Sequence, residues 1–388
     1  MAESRETASG ARADSNFEGV SPELEQLRRD IDAIDRQILA ELNDRARLVQ
    51  QVGELKRMQK SPVYVASRER DVIAKLAADN PGPFPSSAIR AVFREIISAT
   101  RSLEEMVRVA FLGPEGTFSH QAVVGQFGAQ VELLPAPSLR DVFTLTQRGR
   151  AQYGVVPVEN STEGVVTECF DALVEFDVTI CGELMLGITQ NLLSQSGELD
   201  RVRKVVSKDQ PLAQCRRWLQ ENLSGVELVA SSSTAAAARQ AAADQEVAAI
   251  GSDIAAEVYG LEVVERSIED RHDNATRFVV IGREVPAISG DDLTSAVFVV
   301  RKDRAGTLYH LLEPFARNGV SLNSIQSRPM KGKPWEYLFF LDMEGHAEDP
   351  MVARSLQEAS EVAHSSKVLG SYPRASQVSA DCGRRSRP

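Results

Sequence analysis

Apolar residues in the first quarter of the chain recur at helical spacing. From Leu24 onward they follow one another at intervals of three and four, and no proline intervenes before Pro62. The pattern predicts one helix of about 36 residues, about 54 Å long. Two further helical patterns cover residues 67–78 and 86–106, on either side of a breaker at 80–83. Because three helices with one this long cannot bury their apolar stripe alone, we expect an intertwined helical dimer.

The pattern changes at Val107, where short β-rich runs begin to alternate with helical patterns. The runs lie at residues 108–112, 131–134, 153–158, 178–180, 204–207, 226–230, 248–250 and 277–281. Such alternation indicates open α/β sheets, in which ligands gather at the carboxyl ends of the strands. We therefore expect two α/β lobes around one anion-binding cleft, over residues 107–283.

A third unit follows a linker at residues 286–292. Strand patterns at 295–302, 321–327, 335–343 and 367–372 enclose helical patterns at 307–317 and 349–365. This β-α-β-β-α-β order is typical of a ferredoxin-like α+β sandwich, which we assign to residues 294–374. Residues 1–20 are expected to form a disordered leader and 375–388 a loose tail, which leaves 21–106 for the all-α domain.

Composition narrows the classes of function. A chain of 388 residues is too long for one typical core. Its net charge of -11 argues against a general nucleic-acid binder, and no apolar run approaches the length of a membrane span. The four cysteines form no C-x-x-C pair, and the five histidines show no metal-ligand spacing. We expect a cytoplasmic protein with reduced thiols, no metal and no cofactor.

The run from Gly113 to Ser119 joins a predicted strand to a predicted helix. Its two glycines permit a tight turn, and the hydroxyls of Thr117 and Ser119 lie where the first helical N–H groups are unpaired. Such a junction suits an anion. An ordinary helix cap is the alternative interpretation.

Cationic residues mark the long predicted helix. Arg45 and Lys56 are eleven residues apart, so they share a face at a separation of about 16 Å and could grip a small dianion. Arg28 is turned roughly 100° away from Arg45 and would serve such a site better from a partner chain. The alternative is that these charges form the solvated face of a coiled coil.

Segments 27–32, 48–56 and 68–70 closely resemble the all-helical chorismate mutases. That family rearranges chorismate to prephenate in an intertwined dimer, without nucleophile or cofactor, by holding a compact conformer and stabilising charge at the breaking ether bond. The resemblance implies that the carboxylates of the substrate are bound by Arg28, Arg45 and Arg68. It also implies that Lys56 contacts the ether oxygen and that Glu69 binds the hydroxyl.

Three more positions bear on this resemblance. Thr100 falls where a small hydroxyl residue is common in the family. Val65 stands where an acidic residue often lies, so any contact there must come from its backbone. Glu104 occupies the place of a glutamine that donates to the ether oxygen. Because an ionised carboxylate cannot donate, Glu104 must be protonated in the productive complex, and we predict mutase activity favouring mildly acidic pH.

Segments 113–119, 156–164 and 274–278 resemble prephenate dehydratases. That family converts prephenate to phenylpyruvate by loss of carbon dioxide and the ring hydroxyl, without metal or organic cofactor. The resemblance assigns Thr276 to the leaving hydroxyl, as proton donor or relay. The candidates for binding the substrate, each of which is alternatively a simple helix cap or strand residue, are Thr117, Ser119, Asn160, Ser161, Thr162, Gln210, Gln214, Ser233, Thr234, Arg277 and Phe278. Arg277 pairs either with a substrate carboxylate or with a protein carboxylate in a salt bridge, and no role is assigned to Gln190 or Asn191.

Segments 303–308 and 324–329 resemble the signature loops of ACT domains. Such domains pair across a dimer and bind phenylalanine, which implies end-product inhibition. The implied effector residues are Gly306, Thr307, Leu308, Gln326, Ser327 and Arg328. Gln326 stands where a glutamate is usual, which puts the affinity or identity of the effector in question. The alternative is a structural dimerisation domain that senses nothing.

Together these resemblances imply a bifunctional enzyme of L-phenylalanine biosynthesis that forms a homodimer or a higher even oligomer. Two alternatives stay open at this point. One is a dehydratase that prefers arogenate and carries a vestigial mutase; the other is a non-enzymatic, amino-acid-responsive binding protein with a two-lobed, periplasmic-binding-protein-like cleft. Incubation of the purified protein with chorismate, followed by assay of prephenate and phenylpyruvate, separates the three readings.

Overall fold

A computed structural model describes residues 21–59, 64, 66–301, 305–330 and 336–375. The predicted leader, Val65 and the predicted tail beyond residue 375 lie outside the described residues, as do residues 303 and 304 of the first ACT-like segment. No helix in the described part of the chain is both long enough and apolar enough to cross a membrane.

Three helices form the N-terminal region: α1 (Pro22–Gln59), α2 (Ala66–Ala78) and α3 (Ser86–Arg101). The long helix is confirmed, with 38 residues. α3 ends sooner than predicted, because turn hydrogen bonds from Leu103 and Glu104 to Thr100 and Arg101 replace the helical pattern. Gly53 is the buried residue of α1, whereas the apolar side chains of its first half stay exposed, Leu27 by 59% and Ile34 by 57%.

The α/β region consists of two lobes, as predicted. Lobe 1 contains β1 (Arg108–Leu112), α4 (Phe118–Phe127), β2 (Glu132–Ala136), α5 (Leu139–Gln147), β3 (Tyr153–Asn160), β4 (Gly164–Val165), α6 (Thr167–Glu175) and β5 (Thr179–Gly187). Lobe 2 contains β6 (Asn191–Ser194), a short 3-10 helix (Leu199–Arg201), β7 (Lys204–Ser207), α7 (Asp209–Gln214), α8 (Arg216–Asn222), β8 (Glu227–Ala230), α9 (Thr234–Ala243), β9 (Val247–Gly251), α10 (Asp253–Tyr259) and β10 (Glu262–Glu265). The chain then returns to lobe 1 through β11 (Ala275–Gly282).

Each lobe is built on its own sheet. The order in lobe 1 is β2-β1-β3-β11-β5, with β4 beside β3, and the order in lobe 2 is β10-β6-β9-β7-β8. β11 runs antiparallel between β3 and β5, which places the second and third dehydratase-like segments on neighbouring strands. Sequence patterns did not predict β6 and β10, although they did predict β7 and β8, which also have four residues each.

The chain crosses between the lobes twice, and the two crossings are hydrogen-bonded to each other. The backbone N–H of Ile268 donates to the carbonyl of Gln190 at 2.8 Å, and the N–H of Gln190 donates to Oε2 of Glu269 at 2.8 Å. We call this pair of hydrogen-bonded crossings the hinge.

The C-terminal unit has the predicted ferredoxin-like order: β12 (Asp292–Arg301), α11 (Thr307–Arg317), β13 (Leu322–Pro329), β14 (Glu336–Glu344), α12 (Pro350–Val362) and β15 (Ser365–Pro373). Its antiparallel sheet runs β13-β14-β12-β15. Phe298, Phe315 and Leu341 lie in the core between this sheet and its helices. Val297, Phe340 and Leu369 instead join the core of lobe 1, so the second face of the sheet is buried against the dehydratase-like region.

Glycine is required where this sheet meets lobe 1. A Cβ atom on Gly370 of β15 would collide with the backbone of Ile180 in β5. Backbone atoms cannot move aside as the end of a flexible side chain does, so the two strands approach this closely only because position 370 lacks a side chain.

Candidate active sites

Five of the mutase-like residues meet where the three N-terminal helices converge. α1 supplies Arg45 and Lys56, α2 supplies Glu69, and α3 with the turn after it supplies Thr100 and Glu104. The Arg45 guanidinium donates to the Thr100 hydroxyl, and Nζ of Lys56 lies 3.6 Å from Oε2 of Glu104. Cations and carboxylates from distant positions in the sequence thus form one cluster.

Gly53 allows Glu104 to lie against α1. A Cβ atom built on Gly53 would be 2.8 Å from Cγ of Glu104, which is closer than real contacts permit, and 3.1 Å from its Cβ, which is tight. The Glu104 side chain is buried, and its Oε2 accepts no hydrogen bond from any described residue. A buried oxygen without a hydrogen-bond partner is costly unless a ligand or a proton satisfies it.

Glu69 is held by an arginine that no motif identified. Nη1 of Arg101 lies 2.6 Å from Oε1 of Glu69. Burial raises the pKa of Glu69, while the charges of Arg101, Lys56 and Arg45 oppose that rise. Burial lowers the pKa of Arg45, and Glu69 counteracts the effect. Mutual influence of this kind requires proximity, so Glu69 belongs to the same electrostatic cluster.

Arg28 and Arg68 are exposed and stand apart from these contacts. Arg28 precedes Arg45 by seventeen residues on one straight helix, or about 26 Å. It cannot reach the cluster of its own chain, in keeping with the expectation that it acts from a partner. Arg68 precedes Glu69 on α2 and points to solvent in the single chain.

Thr276 lies beside Asn160 in lobe 1, because β11 and β3 pair with these residues opposite each other. Nδ2 of Asn160 donates to Oγ1 of Thr276 at 2.8 Å and to Oδ1 of Asn274 at 2.9 Å. Oδ1 of Asn160 accepts from the backbone N–H groups of Thr162 and Glu163 at 2.9 and 3.1 Å. Those backbone donors fix the orientation of the amide, so the Thr276 oxygen accepts and its own proton is free to be donated elsewhere.

Ser161 and Thr162 complete this neutral network. The Ser161 hydroxyl accepts from the N–H of Ala275 at 3.0 Å and donates to the carbonyl of Asp273 at 3.3 Å. The Thr162 hydroxyl donates to Oδ1 of Asn274 at 3.4 Å. These bonds tie the two dehydratase-like segments together around Thr276.

The run from Gly113 to Ser119 caps α4 and also contacts lobe 2. The Thr117 hydroxyl accepts from the N–H of His120 at 3.4 Å and donates to the carbonyl of Pro114 at 3.0 Å, while Ser119 is buried in the first turn. Tyr259 of α10 donates to the carbonyl of Glu115 at 2.9 Å. The run is therefore a true N-cap and a contact between the lobes at once.

A glycine is needed at one point of this run. Gly116 has φ +83°, and a Cβ atom there would lie 2.6 Å from the Tyr259 ring. Both the backbone conformation and the close ring exclude larger residues at position 116.

The lobe 2 candidates are arranged around helix starts and the hinge. Ser233 caps α9 by accepting from the N–H of Ala236 at 2.9 Å, and Thr234 is buried in the first turn. Gln210 is half-buried at the start of α7. Oε1 of Gln214 accepts from Nε2 of Gln190 at 3.3 Å, which connects α7 to the hinge through a residue that had no assigned role.

Two of the predicted substrate ligands are used elsewhere. Phe278 is almost fully buried in the core of lobe 1 with Phe111 and Phe127, so its ring supports the fold rather than lining the site. Arg277 faces the ACT-like sheet, and the salt-bridge alternative is the one observed. Its partners are Glu183 at 2.8 Å, Asp342 at 2.6 Å and the Tyr372 hydroxyl at 3.0 Å.

The Arg277 network continues into the C-terminal sheet. Burial alone would lower the pKa of Arg277, but Tyr372, Asp342 and Glu183 together raise it, so the guanidinium stays charged. The Ser295 hydroxyl donates to Asp342 at 2.5 Å and lies 2.7 Å from the Tyr372 hydroxyl. Asp342 on β14 stands opposite Ser324 of the second ACT-like segment.

The effector candidates lie at the start of α11 and on β13. Gly306, with φ +83°, precedes Thr307 at the start of α11, and Leu308 is partly exposed there. Gln326 and Ser327 lie on the edge strand β13. Arg328 instead contacts lobe 1, because Nη1 lies 2.9 Å from Oδ1 of Asp171 and donates to the carbonyl of Thr167. Its guanidinium is committed to that contact rather than to an amino acid.

Cysteine chemistry plays no visible part in these sites. Cys169, Cys181 and Cys215 are free and buried, and burial raises the pKa of Cys181 to about 12. Within the ranges that the structure describes, no group of three or more His, Cys, Asp or Glu side chains could hold a metal ion.

Comparison with known proteins matches each region of the chain to a family. Residues 27–105 match chorismate mutase type II, residues 109–286 match prephenate dehydratase and residues 295–361 match the ACT domain. The bifunctional chorismate mutase/prephenate dehydratase of Aquifex aeolicus is 45% identical over 357 residues, which cover 91% of this chain and 98% of that protein. The enzyme of the same name from Stutzerimonas stutzeri is 41% identical, with the same coverage.

Solved structures resemble the C-terminal two thirds. Prephenate dehydratase from Arthrobacter aurescens in complex with L-Phe is 34% identical, covering 69% of this chain and 90% of that one, with a TM-score of 0.63. GqqA, described as a quorum-quenching acylase, is 30% identical over 69% of this chain and 98% of that one, with a TM-score of 0.64. From its relatives and from its three matched regions, the chain belongs to the family of bifunctional chorismate mutase/prephenate dehydratases with a C-terminal ACT domain.

Proposed function

We propose that residues 21–106 rearrange chorismate to prephenate, that residues 107–283 convert prephenate to phenylpyruvate, and that residues 294–374 sense L-phenylalanine. The observation that carries the proposal is the hydrogen bond from Asn160 to Thr276. It leaves the Thr276 proton directed away from Asn160, as a donor to the departing hydroxyl would require.

In the mutase reaction, the side chains of the protein only hold the substrate in position and stabilise charge. Arg45 binds a carboxylate of chorismate, with Arg68 and the Arg28 of a second copy binding the remaining charge. Lys56 meets the ether oxygen, and Glu69 accepts from the substrate hydroxyl. Charge that develops as the ether bond breaks is stabilised by cations already in place, which is the most effective form of such catalysis.

Glu104 adds a proton-dependent contact to this reaction. Within the described residues, its buried Oε2 accepts no hydrogen bond and lies 3.6 Å from Nζ of Lys56, and a protonated carboxyl at this place donates to the ether oxygen. We therefore predict that mutase turnover increases toward mildly acidic pH.

The site is completed by dimerisation through α1. Leu27, Ile31, Ile34 and Ile38 are each more than half exposed in the single chain and lie on one stripe of the helix. A stripe of this length is unfavourable in water, and a second α1 laid along it would bring the partner copy's first half to the Arg45–Lys56 cluster. We propose a homodimer or a higher even oligomer, measured by light scattering after gel filtration.

In the dehydratase reaction, the substrate loses carbon dioxide while its ring hydroxyl leaves. The electron pair of the broken carbon–carboxylate bond enters the ring, the carbon–oxygen bond breaks, and a proton delivered through Thr276 converts the departing hydroxide into water. Aromatisation supplies the driving force. The N-termini of α4 and α9 offer backbone N–H groups to the substrate carboxylates, and Ser119, Ser233 and Thr234 at these helix starts offer hydroxyls. The Thr117 hydroxyl is used as the cap of α4, where it donates to the Pro114 carbonyl.

Feedback by L-phenylalanine is supported by the Arg277 network. Arg277 follows Thr276 directly on β11, and Asp342, to which it bonds, stands opposite Ser324 of the ACT segment. An effector bound at Gly306, Thr307, Leu308 and Gln326 would thus act on the strand that carries Thr276. The solved relative in complex with L-Phe supports the same effector.

The deciding experiment incubates the full-length protein with chorismate and follows prephenate and phenylpyruvate separately. Formation of both supports the proposal. In parallel incubations with added arogenate, turnover of arogenate without turnover of chorismate or prephenate supports the arogenate alternative, and turnover of none of the three supports the binding-protein alternative. Titration with L-phenylalanine then tests regulation, because no inhibition at millimolar concentration would favour a purely structural ACT domain. A cytoplasmic location stays a prediction from cysteine usage.

A further inference from the structure

A single buried guanidinium connects the mutase cluster to the dehydratase lobe. Arg101, the last residue of α3, is 4% exposed. Its Nη1 lies 2.6 Å from Oε1 of Glu69, and its Nη2 donates to the carbonyl of Phe127 at 2.6 Å. Phe127 is the last residue of α4 in lobe 1. One side chain therefore contacts both domains.

An aromatic ring lies over this guanidinium and packs against aromatic residues of the dehydratase lobe. The Tyr64 ring, from the connection between α1 and α2, lies 5.0 Å from Cζ of Arg101. That ring is 4.8 Å from the Phe127 ring and 5.3 Å from the Tyr153 ring, and its hydroxyl accepts from Nε2 of Gln126 at 2.8 Å. A cation over an aromatic face and away from water is held in one position.

The neighbouring backbone also favours a cation at this place. The Phe127 carbonyl belongs to the last turn of α4, where unpaired carbonyl groups create a partial negative charge. α3 is pressed against this end of α4, because a Cβ atom on Gly128 would collide with Ser98, and the N–H of Gln130 donates to the Ser98 hydroxyl at 3.1 Å. The dehydratase lobe thus supplies half of the Arg101 binding site.

Glu69 depends on this arrangement for both its charge and its direction. Burial raises the pKa of Glu69, and Arg101 contributes the largest opposing effect through charge and hydrogen bonding. Without the guanidinium, the buried carboxyl would take up a proton at higher pH and would lose the bond that orients it. A protonated, rotated Glu69 could not accept from a substrate hydroxyl in the same way.

We infer that Arg101 is a positioning residue for the mutase reaction, acting through Glu69, and that the dehydratase lobe holds it in place through the Phe127 carbonyl. The inference rests on the proposed function, in which Glu69 binds the substrate hydroxyl. It makes mutase turnover dependent on a contact that an isolated helical domain would lack.

The test compares Arg101→Met, Arg101→Lys, Glu69→Gln and the double variant Glu69→Gln/Arg101→Met in the full-length chain. Arg101→Met is expected to lower mutase kcat by about 100-fold, the usual scale for a displaced catalytic group. The acid limb of its pH profile moves to higher pH, because activity needs ionised Glu69 and is lost as pH falls through a pKa that has now risen. Arg101→Lys keeps a cation and returns the limb toward the parent position.

The double variant separates positioning from simple support of the fold. If Arg101 acts through Glu69, the double variant has the kcat of Glu69→Gln alone, because the two residues form one unit. It also removes the uncompensated buried charge, so it can be measured even where Arg101→Met folds poorly. Dehydratase turnover of added prephenate, expected within about twofold of the parent, reports folding of the adjoining lobe.

Two outcomes overturn the inference. One is a folded Arg101→Met variant with an unchanged acid limb and kcat; the other is a double variant whose loss equals the product of the two single losses. Failure of the proposed function looks different, since Glu69→Gln would then leave mutase turnover unchanged, or the parent protein would have none.

Discussion

The mutase cluster gathers charged residues from three helices, whereas the cluster around Thr276 consists of neutral amides and hydroxyls on paired strands. Lys56 interacts through charge with both Glu104 and Glu69. Asn160 and Thr276 instead form a directed hydrogen-bond network within one chain. The contrast fits the chemistry, because the first reaction needs charge stabilisation at a breaking ether bond and the second needs a directed proton.

The comparison also shows that an arginine beside a catalytic motif need not bind substrate. Arg45 faces the mutase cluster, but Arg277, adjacent to Thr276, points into the interface with the ACT domain. Arg101, which belongs to no motif, forms a salt bridge with Glu69. The direction of an arginine side chain is decided by its salt-bridge and hydrogen-bond partners, and here those partners come from other parts of the chain.

The largest expected effect is on the dehydratase side. Thr276→Ala should lower dehydratase kcat by about 10²- to 10⁴-fold, the range for loss of a proton-transfer group, and should leave mutase turnover intact. The measurement is phenylpyruvate formation from added prephenate, with Thr276→Ser as the control that retains the hydroxyl. A folded Thr276→Ala protein with normal turnover would remove Thr276 from the mechanism.

Asp342→Asn should separate regulation from catalysis. The change leaves Arg277 paired with Glu183 but deprives it of a charged bond across the domain interface, at a cost of about 2 kcal/mol in the free energy of unfolding. We expect nearly normal turnover with much weaker inhibition by L-phenylalanine. Calorimetric titration with L-phenylalanine should still show binding, and full inhibition with intact binding would rule out coupling through Asp342.

Glu104→Gln should change the shape of the mutase pH profile. Glutamine donates a hydrogen bond at every pH, so activity above neutrality should rise by about 10-fold relative to the parent while acidic activity changes little. Chorismate consumption across the pH range measures this. If the variant keeps the parent profile, Glu104 is not the group that limits activity at high pH.

Gly53→Ala should give the smallest of these effects and test the geometry of the same carboxyl. Alanine is the better helix former by about 1 kcal/mol, yet its Cβ atom would push Glu104 away from α1. We expect a gain or little change in thermal stability, a several-fold lower mutase kcat and unchanged dehydratase turnover. Gly125→Ala, where nothing lies within 4 Å of an added Cβ atom, is the matched control.

Patterns along the chain were sufficient for most of the fold. The 38 residues of α1 repeat one apolar period, and the ACT helix Thr307–Arg317 was predicted with its observed bounds. Long amphipathic helices can be predicted from the sequence because every turn repeats the same spacing of apolar residues. Short strands carry less of this information: of four strands with four residues each, β7 and β8 were predicted and β6 and β10 were not.

Only those site residues that lie in recognisable motifs could be predicted from the sequence. Thr276, Asn160 and the cationic residues of α1 were identified from segments of known type, but the directions of Arg277, Phe278 and Arg328 were not. Side chains that alternate along a strand face opposite sides, and sequence does not say which side meets another domain. Arg101 gave no signal, since an arginine at the end of a helix is normally on the surface.

The sequence by itself determined three domains, their order, the long helix with its apolar stripe and the two sets of motif residues, because periodicity and motifs are local properties. Only the tertiary structure decided that Glu69 shares its guanidinium partner with the end of α4, and that Arg277 bonds across to Asp342. These contacts join residues 26 to 65 positions apart, and the burial that makes them strong exists only after the domains pack together.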